Sequence, residues 1–150
     1  MSPHFDISFT GEVWTDEGVP YESVKLTLND WYEFENADLT HWSPEDYQKQ
    51  WLEQLNEIST TRNKGALIVS IHDPARGYRV WIWTMWKNDD RVRFQNRLLG
   101  MLEAVDDFDP NRVCDYIGDY ESCTPEGEQI SEWVVPILAI KTFLQNKPPR

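Results

Sequence analysis

Trp42-Ser43-Pro44-Glu45-Asp46-Tyr47-Gln48-Lys49-Gln50-Trp51-Leu52-Glu53-Gln54-Leu55-Asn56-Glu57-Ile58-Ser59 is the stretch on which the fold turns. Ser43 stands at an N-cap position and Pro44 at the first helical position. Glu45 and Asp46 follow in the first turn, where the helix dipole favours acids. Asp46 lies three residues after Ser43 and makes an approximate capping box, with Asp in place of Glu. Trp42 and Tyr47 occupy the two positions of a hydrophobic staple. Tyr47, Trp51, Leu55 and Ile58 recur on one helical face with Leu52 beside them, while Gln48, Lys49, Glu53, Gln54 and Glu57 fall mostly outside it. The spacing predicts a helix over about residues 44–59, ended between Thr60 and Gly65.

Strand patterns lie on both sides of that helix. Phe5, Ile7 and Phe9 alternate with Asp6, Ser8 and Thr10, and Val24, Leu26 and Leu28 alternate with Lys25, Thr27 and Asn29, the period of half-buried strands. Asp16-Glu17-Gly18-Val19-Pro20 reads as a turn, and Trp31 to Glu35 as a further short strand. After the helix, Ala66 to Ile71 is a continuous apolar run of the kind found in central strands. Asp73 to Gly77 is a loop of hairpin length. Tyr78 to Trp86 is apolar on both faces, with Tyr78, Val80, Ile82 and Trp86 on one and Trp81, Trp83 and Met85 on the other. Asn88-Asp89-Asp90 turns the chain into a strand whose Arg91, Arg93, Gln95 and Arg97 form a basic face. Ile130 to Ile140 reads as a last strand interrupted by Pro136, with a short helical turn from Ala139 to Leu144. The fold class expected is α+β, an antiparallel sheet of about five to seven strands packed against one main α-helix. Trp51, Leu55, Ile58, Ile68, Val80 and Ile82 are the expected core.

The 150 residues suit one domain over 1–150, with 146–150 a mobile tail. No internal repeat, low-complexity tract or dividing linker is visible. Eight tryptophans and 13% aromatic content argue for a packed core despite the charge. The net charge of −12 is unevenly placed: residues 1–61 carry −11, residues 62–98 carry +5 and residues 99–150 carry −6. Such acidity opposes nucleic-acid binding, which needs cations on the phosphates, and favours a basic partner. The start Met1-Ser2-Pro3-His4-Phe5-Asp6 lacks a basic region followed by an apolar one, so no signal peptide is expected. No stretch approaches the ~20 apolar residues of a membrane span. A cytoplasmic location follows, with Cys114 and Cys123 as thiols, or facing each other across a hairpin.

Catalytic signatures are missing. His4, His41 and His72 stand in no metal-ligand spacing, and no nucleophile elbow or phosphate-binding glycine loop occurs. No cofactor and no metal are expected. The acid pairs Asp16/Glu17, Glu45/Asp46, Asp89/Asp90 and Asp106/Asp107 are placed as solvated loop or cap residues, not as converging catalytic carboxylates. The aromatic strand around Trp81 and Trp83 reads as core or as an interaction surface. The irregular segment 100–129 is the sharper candidate. It holds Asp106, Asp107, Asp109, Asp115, Asp119, Glu121, Glu126 and Glu128, which could meet the Arg and Lys groups of a basic cleft through charge-assisted bonds. The acidic N-terminal region could do the same, and the sequence does not decide between them. Tyr116, Ile117 and Tyr120 could pin the segment 100–129 to the core, as a short hairpin.

Two segments resemble a known family. Trp42-Ser43-Pro44-Glu45-Asp46-Tyr47-Gln48-Lys49-Gln50-Trp51 is similar to a Trp-Ser-x-x-Asp-Tyr-x-x-Gln-Trp segment of the CdiI-like immunity proteins of contact-dependent growth inhibition (CDI) systems. Tyr116-Ile117-Gly118 followed by Glu126-Gly127-Glu128-Gln129-Ile130-Ser131-Glu132-Trp133 resembles that family's second signature. The likeness covers about residues 40–145. It implies a cytosolic, non-catalytic protein that binds the C-terminal toxin domain of a large exoprotein from neighbouring bacteria, commonly a nuclease and often one acting on tRNA, and blocks its active site or substrate path. The expected partner is therefore a basic toxin domain, with no nucleic acid and no membrane bound, and the chain a monomer. Two other readings stay open: a non-inhibitory interaction module, and a carboxylate-dependent hydrolase.

Overall fold

The computed structural model describes residues 4–72, 79–99 and 109–146. The chain runs β1 (Phe5–Asp16), β2 (Val19–Leu28), β3 (Trp31–Asp38), α1 (Pro44–Thr60), β4 (Lys64–Ile71), β5 (Val80–Asn88), β6 (Arg91–Leu99), a 3₁₀ helix (Pro110–Tyr116), β7 (Trp133–Pro136) and α2 (Ile137–Asn146). The α+β class and the antiparallel strands are as expected. The strands divide into two sheets, β1-β2-β3 and β4-β5-β6-β7, and a second helix joins the first.

Two-residue turns set the register of three hairpins. Asp16 pairs with Val19, Leu28 with Trp31 and Asn88 with Arg91. Each turn places residues at positive φ: Glu17 and Gly18, Asn29, and Asp89. Gly, Asn and Asp tolerate that backbone best. The turns at Gly18 and Asp89 were expected from the sequence, while Asn29, read there as part of a strand, is a turn residue. The last strand is shorter than its apolar run suggested. Only Trp133–Pro136 is strand, and Ile137–Asn146 is a helix. Pro136 has no N–H to continue the ladder, and Ile140 and Phe143 then recur at helical spacing toward the core.

Helix α1 begins as its sequence dictates. The Ser43 Oγ accepts from Asp46 N at 3.2 Å, and the Asp46 carboxylate accepts from Ser43 N at 3.0 Å. The staple rings of Trp42 and Tyr47 lie 5.2 Å apart. Such a cap contributes about 1 kcal/mol.

One contiguous core joins both sheets and both helices, and it includes Trp51, Leu55, Ile58, Ile68, Val80 and Ile82. Phe9 stacks on Trp51, and Phe5 stacks on Phe94 of β6 and meets Phe143 of α2 edge-on. The sheets join where β3 ends. Asp38 is fully buried; its N–H donates to Ser70 Oγ, its Oδ1 accepts from Thr40, and its Oδ2 lies 3.4 Å from His72 Nδ1. The expected loop Asp73 to Gly77, the strand-opening Tyr78 and tail residues 147–150 lie outside the described residues; Asn146 ends α2.

Candidate partner-binding surface

Strand β4 is the edge of its sheet, and a bare edge is a template for unwanted pairing. Side chains of α1 close it. Gln50 donates to Ala66 O and accepts from Ile68 N, both at 2.9 Å, while Gln54 accepts from Ala66 N at 3.0 Å. Trp51 Nε1 donates to Ile68 O at 2.6 Å. The Tyr47 hydroxyl accepts from Ile71 N at 2.9 Å and donates to Asp38 O at 2.6 Å, bridging the two sheets. Gln54, expected outside the apolar face of the helix, is buried, as is Gln50, and the two act as a surrogate strand. Gly65 permits the approach, since a Cβ there would stand 2.9 Å from Gln54 Oε1. Tyr47, Gln50 and Trp51, three of the six shared residues of the first signature, therefore have structural roles.

The acidic segment covers one face of the second sheet. Val113 and Ile117 are buried, Lys64 Nζ donates to Ile117 O at 2.8 Å, Trp86 Nε1 to Gly118 O at 3.2 Å and Gln95 Nε2 to Glu121 O at 2.9 Å. Residues Ser122 to Ile130 form a small hairpin closed by a Cys123–Gln129 bridge. Glu132 fastens its end: it accepts from Tyr120 at 2.7 Å, Gln95 at 3.2 Å and Arg93 at 2.7 Å. Partial burial opposes its charge, but these donors and the Arg93 cation outweigh that and hold its carboxyl below the usual range. Arg93 also lies over the Tyr120 ring and Arg97 over that of Trp86. The basic strand face seen in the sequence is thus partly neutralised from within the chain.

The eight candidate acids separate under this geometry. Asp106 and Asp107 lie outside the described residues. Asp109 caps the 3₁₀ helix by accepting from Asn111 N, and Asp115 pairs with Arg112 at 2.8 Å. Asp119, Glu121, Glu126 and Glu128 are exposed and meet no cation among the described residues. The other acid pairs within the described residues are dispersed: Asp16/Glu17 and Asp89/Asp90 sit at separate turns and Glu45/Asp46 at the start of α1. A groove of about 280 Å³ beside α1 is flanked by Asp46, Lys49, Glu53, Glu57 and Asn111. The two cysteines do not face each other. Cys114 Sγ lies 3.3 Å from Lys64 O, and burial pushes its thiol up, while Cys123 is exposed on the hairpin.

The aromatic surface is also not where the sequence placed it. Trp83 is fully buried and only Trp81, at the strand end, reaches solvent. The most exposed aromatics among the described residues are Trp31, Tyr32 and Phe34 on β3, ahead of Trp81, Tyr116 and Tyr120. A strand from Trp31 was expected; an alternating strand ordinarily turns its apolar side chains inward, and here Tyr32 and Phe34 face out.

Comparison with known proteins follows this architecture. The family model for the CdiI N-terminal domain matches residues 37–143, a span that includes both signatures. The immunity protein CdiI of Enterobacter cloacae subsp. cloacae is 27% identical over 142 residues, covering 95% of this chain and 97% of that protein. A chain of the CdiA-CT/CdiI toxin and immunity complex from Enterobacter cloacae superposes with a TM-score of 0.85 at 26% identity, covering 94% of this chain and 96% of that one. With the capped helix, the closed β4 edge and the fastened acidic segment all falling inside the matched span, the chain belongs to the CdiI family of immunity proteins of contact-dependent growth inhibition systems.

Proposed function

We propose that this chain neutralises a cognate toxin by binding its C-terminal domain, a basic nuclease-type domain such as a tRNase, and blocking its active site or substrate path without chemistry of its own. The observation that carries this reading is the row of exposed carboxylates Asp119, Glu121, Glu126 and Glu128, with no cation partner among the described residues, on a segment anchored to the sheet. Fixed acids of this kind can meet the Arg and Lys groups that a nuclease keeps for phosphate. Asp115, Asp109 and the sequence neighbours Asp106 and Asp107 extend the same acidic stretch. The chain acts in the cytoplasm as a single-domain monomer, with no cofactor, nucleic acid or membrane.

The test is binding to the toxin domain encoded beside this chain. Replacing Asp119, Glu121, Glu126 and Glu128 by Asn or Gln should slow association roughly tenfold or more at low ionic strength, and the difference should close as salt screens the charges. Absence of any complex between the unaltered chain and that toxin domain at low salt refutes the reading. Unchanged association by the quadruple variant removes the 109–128 surface from it.

A further inference from the structure

Strand β3 is built inside out. Its exposed face carries Tyr32 and Phe34, 54% and 56% accessible, while Glu33 and Glu35 occupy the face turned toward the second sheet. A half-buried strand ordinarily does the reverse, and breaches of that pattern concentrate where a protein has a function to perform. The inward face is walled by aromatic rings: Trp31 stacks on Trp133 at 6.0 Å, and Trp133 lies 5.4 Å from Trp83. Glu35 accepts from Trp83 Nε1 at 3.1 Å and from Asn96 Nδ2 at 3.0 Å. Both donors meet the same oxygen, Oε1, and Oε2 has no partner among the described residues. Glu33 pairs with no donor or cation among them. Burial raises the carboxyl of each, and the proximity of Glu33 raises Glu35 further against its two donors.

The strand is also an edge. Side chains of α1 close the edge of β4, and Asn29 Nδ2 reaches Val134 O of the short edge strand β7 at 2.9 Å. No such cover lies along Trp31 to Glu35 among the described residues.

We propose that this edge, Trp31 to Glu35, is the anchoring contact for the basic toxin domain, with Glu33 and Glu35 receiving a lysine or arginine side chain beside the tryptophan rings and with Tyr32 and Phe34 packed against the partner's surface. The inference rests on the toxin-binding reading and assigns it a second contact. Charge complementarity selects the occupant: two carboxylates held partly out of water without a cation gain most from a cation, and Trp and Tyr beside them are the residue types that anchor interfaces. The two contacts are continuous, since Glu132 ends the acidic segment on one face of the sheet and Trp133, the next residue, stacks on Trp31 across the other. The exposed acids steer encounter, and the β3 edge sets how long the complex lasts.

The kinetic split provides the test. The full chain and its variants are measured against the toxin domain encoded beside it. Glu33→Gln with Glu35→Gln should raise the dissociation rate at least about tenfold while leaving the association rate within about threefold. Phe34→Ser should act in the same direction. Because burial disfavours both carboxylates, the Gln pair should unfold at or above the wild-type temperature at pH 7, so weaker binding cannot be ascribed to a failed fold. An unchanged dissociation rate in both variants overturns the inference while the unaltered chain still binds. Self-association by the Gln pair with unchanged toxin dissociation also overturns it, assigning the carboxylates to keeping copies of this chain apart. Failure of the unaltered chain to bind removes the neutralisation reading and this one with it.

Discussion

Replacing Gln50 by Leu tests the closure of the β4 edge. The change keeps the side-chain volume close and leaves the helix propensity high. It removes two hydrogen bonds at once, to Ala66 O and from Ile68 N, in a site where Gln50 is only 7% exposed. Ala66 and Ile68 are fully buried, so water cannot replace the lost partners without opening the helix–strand seam. A stranded buried backbone group costs about 1–3 kcal/mol. Two such groups give roughly 2–6 kcal/mol, offset by about 1 kcal/mol from the apolar Leu surface now buried. A net loss near 3 kcal/mol is a large share of the total stability of a domain, about 5–15 kcal/mol. Urea unfolding followed by far-UV circular dichroism should show the midpoint falling with little change in slope, and thermal unfolding should drop by about 6–12 °C. Glu53→Gln, on the exposed side of the same helix, should change stability by no more than about 0.5 kcal/mol. A Gln50→Leu loss below about 1 kcal/mol would refute the claim that α1 serves as the missing strand.

Two further outcomes follow from named side chains. Burial, against the Ile71 N–H, holds the Tyr47 phenol well above its ordinary value of 10.0, so the unfolded chain ionises first as pH rises. Its contribution is complete below pH 10 and declines above it. Tyr47→Phe strands Ile71 N and Asp38 O and should cost about 2–4 kcal/mol near neutrality, a deficit that narrows above pH 10 in stability measurements across the alkaline range. Glu132 has the opposite sign. Its carboxyl is depressed, so its contribution is present above about pH 4.5 and lost as pH falls through the folded value. Glu132→Gln should lower the unfolding midpoint at pH 7 and converge on wild type in acid, and amide exchange at Tyr120 and Glu121 should quicken as the segment loosens.

Local rules of chain geometry were legible in the sequence, and they carried most of the fold. The Ser43-Pro44-Glu45-Asp46 cap, the Trp42/Tyr47 staple, the alternation of β1 and β2 and the turns at Gly18 and Asp89 each depend on neighbours within a few residues, so their physics is written in order along the chain. The family likeness was legible for the same reason, because its first signature is that capped helix start. The strand after Ile130 was misjudged in extent because an apolar run of that length fits strand or helix, and only the position of Pro136 against β6 ended the ladder.

Partnership across the chain was not legible. Gln54 reads as a polar residue outside the apolar stripe, and it is buried together with Gln50 because β4, more than ten residues on, presents an open backbone edge to them. The acids of the 109–132 segment look alike in sequence; the tertiary structure turned Glu132 into a fastener and Asp109 into a cap while leaving Asp119, Glu121, Glu126 and Glu128 exposed. The same holds for β3, whose alternation was plain but whose outward face was fixed by where Trp133 and Trp83 stand. Sequence by itself determined which elements form and the sign of the charge they carry, because those are short-range and additive properties. Only the tertiary structure decided which polar groups are consumed internally and which are left exposed, because burial depends on segments brought together from distant parts of the chain.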